Sequence, residues 1–349
     1  MRIAQIAPLT EAVPPRLHGG TERVVSYLTE DLVRRGHDVT LFASADSATA
    51  ARLHACWPRA LRFDAGLRDP RAPHMLMLET VFHQADQFDL LHFHLDYCPF
   101  PLFSRQRTPF VTTLHGRLDS PELTPIFDRF RRVALVSVSD AQRRPVPRAH
   151  FVRTIHHGMP LDLLKPRPVT PAYLAFLGRA APDTSLEPAI RIARRAGVPL
   201  KIAAKVDRAD EAYYRERIRP LIDGRHVEFV GEIGDTDKAE FLSGAIALLK
   251  PATWPEPFGL AMIEAMACGT PVIACDRGSA PEVVDHGLTG LIVQDEADAV
   301  AAISLAAGLS RAAIRRRFEK RFNVGRMTAQ YLDLYATLCR ERPMVQLAT

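Results

Sequence analysis

Thr253-Trp-Pro-Glu-Pro-Phe-Gly-Leu-Ala-Met-Ile-Glu-Ala-Met-Ala-Cys-Gly-Thr-Pro-Val-Ile273 sets two carboxylates, Glu256 and Glu264, eight residues apart. Pro257 suits the first position of a helix, where a missing N–H costs nothing, and Gly269 and Pro271 supply the stop, so the pattern predicts a helix from about Pro257 to Cys268. One glutamate then stands at the helix mouth and the other inside it, ~12 Å along the axis at roughly 1.5 Å per residue. That is about the span from the sugar to the ribose of a nucleotide-sugar. The first amides of such a helix form a ready site for a diphosphate. Most other helix positions are apolar, which implies burial, and a buried carboxylate with no partner nearby in sequence is costly. A ligand for Glu264 is therefore expected; the competing reading is a core carboxylate held by a distant arginine.

Outward from this stretch, short apolar runs alternate with amphipathic helical segments, the pattern of parallel sheets covered by helices. In the first half Ile3–Ala7, Val39–Ala43, Leu90–Phe93, Phe110–Leu114 and Val133–Val138 read as strands, with helices over Thr21–Arg35, Pro73–Gln87 and Glu122–Phe130. The pattern restarts with strands at Tyr173–Leu177, Leu200–Ala204, Val227–Val230, Ala247–Lys250, Val272–Ala274 and Leu291–Val293. Helices fit Leu186–Ala196, Ala209–Ile222, Asp237–Ser243 and Ala297–Ala306. Between the halves, Pro160-Leu-Asp-Leu-Leu-Lys-Pro-Arg-Pro-Val-Thr-Pro171 carries four prolines and reads as a stiff linker. The expected architecture is α/β: two doubly wound, Rossmann-like domains, 1–163 and 164–325, facing across a cleft. A C-terminal helix over about 326–349 crosses back to the first domain.

At 349 residues with 47% hydrophobic content the chain can bury two ordinary cores. No apolar run nears the ~20 residues of a membrane span, and the N-terminal sequence breaks too soon for a signal-peptide core, so a cytoplasmic location is expected. The five cysteines are scattered and lack Cys-x-x-Cys spacing, which suggests neither a disulfide framework nor a zinc site. The net charge of +5 gathers in the first half, where Arg129, Arg131, Arg132, Arg143, Arg144, Arg148 and Arg153 read most simply as a solvated face. The alternative is peripheral contact with anionic lipid at the inner face of the membrane. No nucleic-acid-binding motif accompanies the charge, so no nucleic-acid partner is expected.

Smaller elements complete the expected site. Leu17-His-Gly-Gly-Thr-Glu22 follows the first strand; Gly19 and Gly20 permit close approach of a phosphate or sugar, and Thr21 suits a helix cap. It matches neither a dinucleotide fingerprint nor a Walker loop. His115 ends a strand, on the cleft side of the first domain, while His92 and His94 alternate on one strand face and read as structural. Arg179, after Gly178, offers a planar, permanently charged donor for phosphate oxygens, and Lys205 is expected at the same rim.

These residues resemble the retaining glycosyltransferases of the GT-B fold, the family called glycosyl transferases group one. The resemblance runs through Gly19-Gly20-Thr21-Glu22, Arg34-Arg-Gly-His-Asp-Val-Thr-Leu-Phe-Ala43, His115-Gly116, Ser137-Val-Ser-Asp140 and Phe176-Leu-Gly-Arg179. Its most specific part is Pro255-Glu-Pro-Phe-Gly-Leu260 with Glu264-Ala-Met-Ala-Cys-Gly-Thr-Pro-Val272 and Gly278-Ser-Ala-Pro-Glu282, similar to the family's Glu-x7-Glu region. The resemblance implies a UDP- or GDP-sugar donor, an acceptor that is a glycan, a lipid-linked sugar or a small molecule, and no metal or other cofactor. It places Glu264 on the ribose, Glu256 and His115 at the donor sugar, and Arg179 with the Phe258, Gly259 and Leu260 amides on the phosphates. Gly20 would approach the diphosphate, and the groups around Val230 would read the base. One departure is plain: where the family commonly carries Lys-Gly after Gly-Arg, this chain has Thr184 and Ser185. Loss of a charge-assisted contact there leaves a second reading, a nucleotide-sugar-binding protein without transfer; a nucleotide-sugar 2-epimerase, which shares the two-domain fold, is a third.

Overall fold

The computed structural model describes residues 1–17 and 19–341; His18 of the glycine-rich stretch and residues 342–349 of the expected C-terminal helix lie outside the described residues. The chain divides into two compact units, one comprising Met1–Met159 with the segment from Val324, the other Pro160–Asn323.

The first unit is built on a parallel sheet of seven strands: β1 (Arg2–Ile6), β2 (Asp38–Ser44), β3 (Arg52–Trp57), β4 (Leu90–Phe93), β5 (Phe110–Thr113), β6 (Ala134–Ser137) and β7 (Phe151–Thr154). Their order is β3-β2-β1-β4-β5-β6-β7. Direction of travel across the sheet reverses between β1 and β4, which is where ligands bind in open α/β sheets, outside the carboxyl ends of the strands. The central strands are buried throughout, as continuous apolar runs should be when helices cover both faces. The two strands that the apolar pattern does not predict, β3 and β7, are the edges of this sheet. Half-exposed residues run along both, so no apolar run marks them.

The closing helix of the described chain, Val324–Arg340, belongs to this first unit. Tyr331 and Tyr335 are fully buried on its inner face, Arg35 donates to the Gly325 carbonyl at 2.9 Å, and Arg153 holds Asp333 at 2.8 Å. Of the arginines read as a solvated face, Arg131 and Arg148 both pair with Asp128, as Arg153 does with Asp333. Arg143 lies over the Phe151 ring. Among the described residues no single helix is long and apolar enough to cross a membrane.

The second unit carries six parallel strands: β8 (Tyr173–Arg179), β9 (Leu200–Lys205), β10 (Val227–Gly231), β11 (Ala245–Lys250), β12 (Val272–Cys275) and β13 (Gly290–Val293). They are ordered β10-β9-β8-β11-β12-β13, so the reversal falls between β8 and β11. The helix Leu186–Ala196 forms where its apolar residues recur at helical spacing, burying Leu186, Ala189, Ile190 and Ala193, and it ends on the left-handed Gly197. In place of the regular helix expected over Ala209–Ile222 there is a chain of short turns of 3₁₀, α and π type that ends at Leu221, with Pro220 in the last turn. Proline has no N–H to continue the ladder. A further helix, Arg311–Arg321, was not expected because nine of its eleven residues are charged or alanine and only Ile314 and Phe318 are buried.

Candidate functional site

Parallel pairing gathers charge at the carboxyl edge of the second sheet. Arg179, the last residue of β8, lies in register with Lys205, the last residue of β9, and the Ala180 amide bonds the Lys205 carbonyl at 2.8 Å. Lys250 closes β11 on the other side of β8, so Arg179 and Lys250 flank the point where strand order reverses. Each cation has an acidic companion. Lys205 Nζ is 2.9 Å from Asp207, and Arg179 donates to Asp183 at 3.2 Å and lies 3.7 Å from Asp207. Lys250 Nζ is 3.0 Å from Glu256. Lys205, expected just past its strand, is instead the strand's last residue and is buried. Thr184, in the turn that follows β8, donates its hydroxyl to the Ala181 carbonyl at 2.7 Å, and Ser185 is buried at the start of the next helix. Val230 sits on the edge strand β10 at a bulge: the ladder to β9 passes from Phe229 to Gly231 and skips it.

The Glu256 loop is shaped by two glycines. The helix expected from Pro257 starts three residues later and spans Leu260–Ala267, which leaves Glu256, Pro257 and Phe258 in an irregular loop. The reason is Gly259, whose left-handed backbone (φ 79°) interrupts any helical run through Pro257. A Cβ on Gly259 would fall 2.7 Å from Met262 Cε and 3.0 Å from Glu256 Oε2, so the missing side chain lets the carboxylate lie against the helix start. Gly278, also left-handed, brings a second loop onto the first: its Cβ would stand 2.5 Å from the Glu256 nitrogen and 2.6 Å from its oxygen. Ser279 fastens this contact, its amide bonding the Glu256 carbonyl at 3.0 Å and its hydroxyl the Phe258 carbonyl at 2.8 Å. The Leu260 amide is the first of the helix proper, whereas those of Phe258 and Gly259 belong to the loop.

Glu264 is buried, as the apolar pattern requires, but not without a partner. Lys238, from the helix Asp235–Ser243, reaches it at 2.7 Å, with both side chains about 8% exposed. The premise that this carboxylate lacks a partner is therefore corrected, and the partner is a lysine rather than a distant arginine. Lys238 was invisible in the sequence because it lies 26 positions from Glu264, although its place on a helix among apolar neighbours marks it in retrospect.

In the first unit the glycine-rich turn leads into the helix Gly20–Arg34. Thr21 does not cap it: Gly20 is already helical and Gly19 is the cap, with no side-chain bond. Gly19 is required sterically, since a Cβ would meet Pro15 Cβ at 2.7 Å and Glu11 Cγ at 3.3 Å. At the carboxyl ends of β4 and β5 a polar chain crosses the apolar sheet. His92 bonds Tyr335 at 2.6 Å and Thr113 at 2.7 Å, and Thr113 bonds Tyr331 at 2.9 Å. Gln5 donates its amide to Tyr335 at 3.2 Å, so its oxygen accepts from His94 Nε2 at 2.9 Å. His94 Nδ1 then accepts from His115 Nε2 at 2.9 Å, which leaves His115 Nδ1 as a lone pair. His115 is partly exposed and stacks on His157, their centroids 5.3 Å apart. Burial holds His92, His94 and His157 well below the ordinary imidazole range and lowers His115 to about 3, so all four rings are neutral near pH 7.

Gly19, Gly20, His115, Arg179 and Lys205 thus fall at strand ends or helix starts of their own units, Glu256 in the loop before a helix and Glu264 within that helix, with Thr184 turned into its own loop and Val230 on an edge strand. Lys250 and Lys238 are additional members. Comparison with known proteins points the same way. A family model described as glycosyl transferases group 1 matches residues 165–321, and one described as glycosyltransferase family 4 matches residues 18–182. A phosphatidyl-myo-inositol mannosyltransferase of Mycobacterium leprae is 26% identical, with 100% of both chains covered. A D-inositol 3-phosphate glycosyltransferase of Saccharomonospora viridis is 28% identical over 91% of this chain and 89% of its own. Among solved structures, a sucrose-phosphate synthase of Thermosynechococcus elongatus superposes with a TM-score of 0.81, covering 97% of this chain and 99% of that one at 23% identity, a likeness of fold.

Two outcomes follow from this geometry. Replacing Lys238 by Met takes the ammonium away from the buried Glu264 carboxylate and should cost about 3–5 kcal/mol, read as a lower urea midpoint; an unchanged midpoint would mean that the pair contributes nothing. The neutral histidines set a pH dependence. Unfolded imidazoles take up protons as pH falls through ~6.5, whereas the folded rings do so only far lower, so their contribution is complete above that range and is lost on acidification. The urea midpoint should fall from pH 7 to pH 5, and a flat profile across that window would contradict the assignment.

Proposed function

Because the chain belongs to the group 1 glycosyltransferases, we propose that it transfers a hexose from a UDP- or GDP-sugar to an acceptor hydroxyl, with retention at the anomeric carbon and without a metal. The observation that carries this reading is the row of cations at the carboxyl edge of the second sheet, Lys205, Arg179 and Lys250, with a helix N-terminus on the loop that follows β11. In this reading Arg179 and the amides at Phe258, Gly259 and Leu260 take the diphosphate, and positive charge fixed in the protein does the work that a divalent ion does elsewhere. Glu264, oriented by Lys238, accepts the ribose hydroxyls. Glu256, held between Lys250 and the Gly278-Ser279 clamp, faces the donor sugar. The bulge at Val230 supplies backbone groups for the base. In the first unit Gly19, Gly20 and His115 make that unit's substrate contacts, His115 as a neutral ring able to accept a hydrogen bond from a hydroxyl at Nδ1.

The chemistry asked of these groups is differential. Negative charge grows on the departing nucleoside diphosphate while the sugar ring becomes oxocarbenium-like, so contacts to the phosphate oxygens strengthen in the transition state. A phosphate oxygen of the leaving group receives the acceptor proton. Inositol-bearing substrates named for two relatives make a polyol hydroxyl the acceptor class to test first. A second reading is binding without transfer. It is favoured by Thr184, whose hydroxyl is spent on the Ala181 carbonyl rather than replacing a phosphate-binding lysine.

Transfer from UDP- and GDP-sugars to inositol phosphates, with the product anomer read by proton NMR, tests the proposal. Expected are turnover that survives EDTA, retained configuration, and a loss of roughly 100-fold or more in Glu256→Ala. Inverted product, or full activity in that variant, would refute the assignment; tight nucleotide-sugar binding with neither transfer nor hydrolysis would favour the second reading.

A further inference from the structure

Beyond β4 the chain turns through Leu95-Asp96-Tyr97, and Asp96 is the one non-glycine residue among those described with a positive φ, 48°. This left-handed turn carries the Asp96 carboxylate back against the end of β5, where the backbone amides of His115 and Gly116 face it. A Cβ built on Gly116 would stand 3.9 Å from Asp96 Oδ2. The other oxygen, Oδ1, is buried and accepts no hydrogen bond among the described residues. A carboxylate has about four acceptor positions, and a buried oxygen with no donor is costly enough that such groups are few in folded proteins. Two unfavourable features, a left-handed aspartate and an orphan oxygen, therefore coincide beside the partly exposed His115. Strain and unpaired polar groups held together by their surroundings gather where a ligand completes them.

The missing partner is a neutral donor. The neighbouring rings of His94, His115 and His157 are uncharged near pH 7, and the amides of His115 and Gly116 already face the carboxylate. A hydroxyl fits: it donates to a carboxylate oxygen and, on a sugar or polyol, brings a second hydroxyl within reach of a lone pair such as His115 Nδ1. We propose that Asp96 is a substrate-binding residue whose Oδ1 accepts a hydrogen bond from a sugar or polyol hydroxyl lying beside His115. The proposal rests on the glycosyltransferase reading for the class of ligand, and its test does not depend on turnover.

Asp96→Asn is the informative variant, because asparagine tolerates the left-handed backbone and keeps one oxygen for the facing amides while placing a donor where the hydroxyl needs an acceptor. Calorimetric titration of the full chain and of this variant would use UDP-glucose, GDP-mannose and D-inositol 3-phosphate as probes, with melting temperatures recorded in parallel. The expected result is a loss of about tenfold or more in affinity for at least one probe, with the melting temperature within about 2 °C of the parent. Weakening confined to a nucleotide-sugar assigns the hydroxyl to the donor; weakening confined to the inositol phosphate assigns it to the acceptor. Equal affinities in both proteins for all three probes, including no binding by either, overturn the proposal. So does a variant that melts far lower yet binds all three as the parent does, which would make Asp96 only the anchor of the His115-Gly116 turn. Absence of transfer by a parent that binds these probes would sink the glycosyltransferase reading while leaving Asp96 as a binding residue.

Discussion

The register between β8 and β9 decides where charge can stand in the second unit. Pairing Arg179 with Lys205 puts a guanidinium and an ammonium on adjacent strand ends, and the reversal of strand order beside β8 adds Lys250 from β11. Like charges at this spacing repel, and the fold answers with Asp207 between the first two, Asp183 on Arg179 and Glu256 on Lys250. The result is a charge-balanced edge, and in the function proposed above the phosphate oxygens would take the place of these carboxylates. For the partly exposed Arg179–Asp183 pair such a bond is worth about 0–1 kcal/mol, small enough for a diphosphate to displace.

The two glutamates that stand out in the sequence are secured in different ways. Glu264 is set by a buried lysine, so its carboxylate is oriented by a partner from another helix. Glu256 is set by backbone: Gly278 and Ser279 press a second loop onto its main chain, and Gly259 makes room for its side chain. Both devices spend conformational freedom in advance, which is how a site avoids paying for order when substrate arrives. Glycines 259 and 278 are irreplaceable here for a steric reason as well as for their positive φ.

Much of the fold could be read from the chain because parallel strands covered on both faces must be apolar along their whole length. Val272 to Cys275 announces itself in this way, and Leu90 to Phe93 does so despite the buried His92 within it. The edge strands β3 and β7 could not, since one side of each faces solvent. The helix start was misplaced at Pro257 because proline favours a first turn by local chemistry, while the left-handed Gly259 is imposed by the packing of Glu256 and Met262. The carboxylate pair and Arg179 were legible as chemistry, whereas Lys238, Lys250 and Asp96 were not. Their significance comes from neighbours brought together by the fold: Lys238 to Glu264, Lys250 to Glu256, and Asp96 to a turn 20 residues on.

Fixed positive charge at the strand ends of the second sheet, rather than a bound metal, is the central claim for phosphate recognition. Calorimetric titration of UDP and GDP in EDTA, at several salt concentrations, into the parent protein and Arg179→Met tests it most directly. A charge-assisted contact of about 1.5–3 kcal/mol corresponds to roughly 10- to 150-fold weaker binding in the variant, with a shallower dependence on salt. Equal affinity and an equal salt dependence in the two proteins would contradict it.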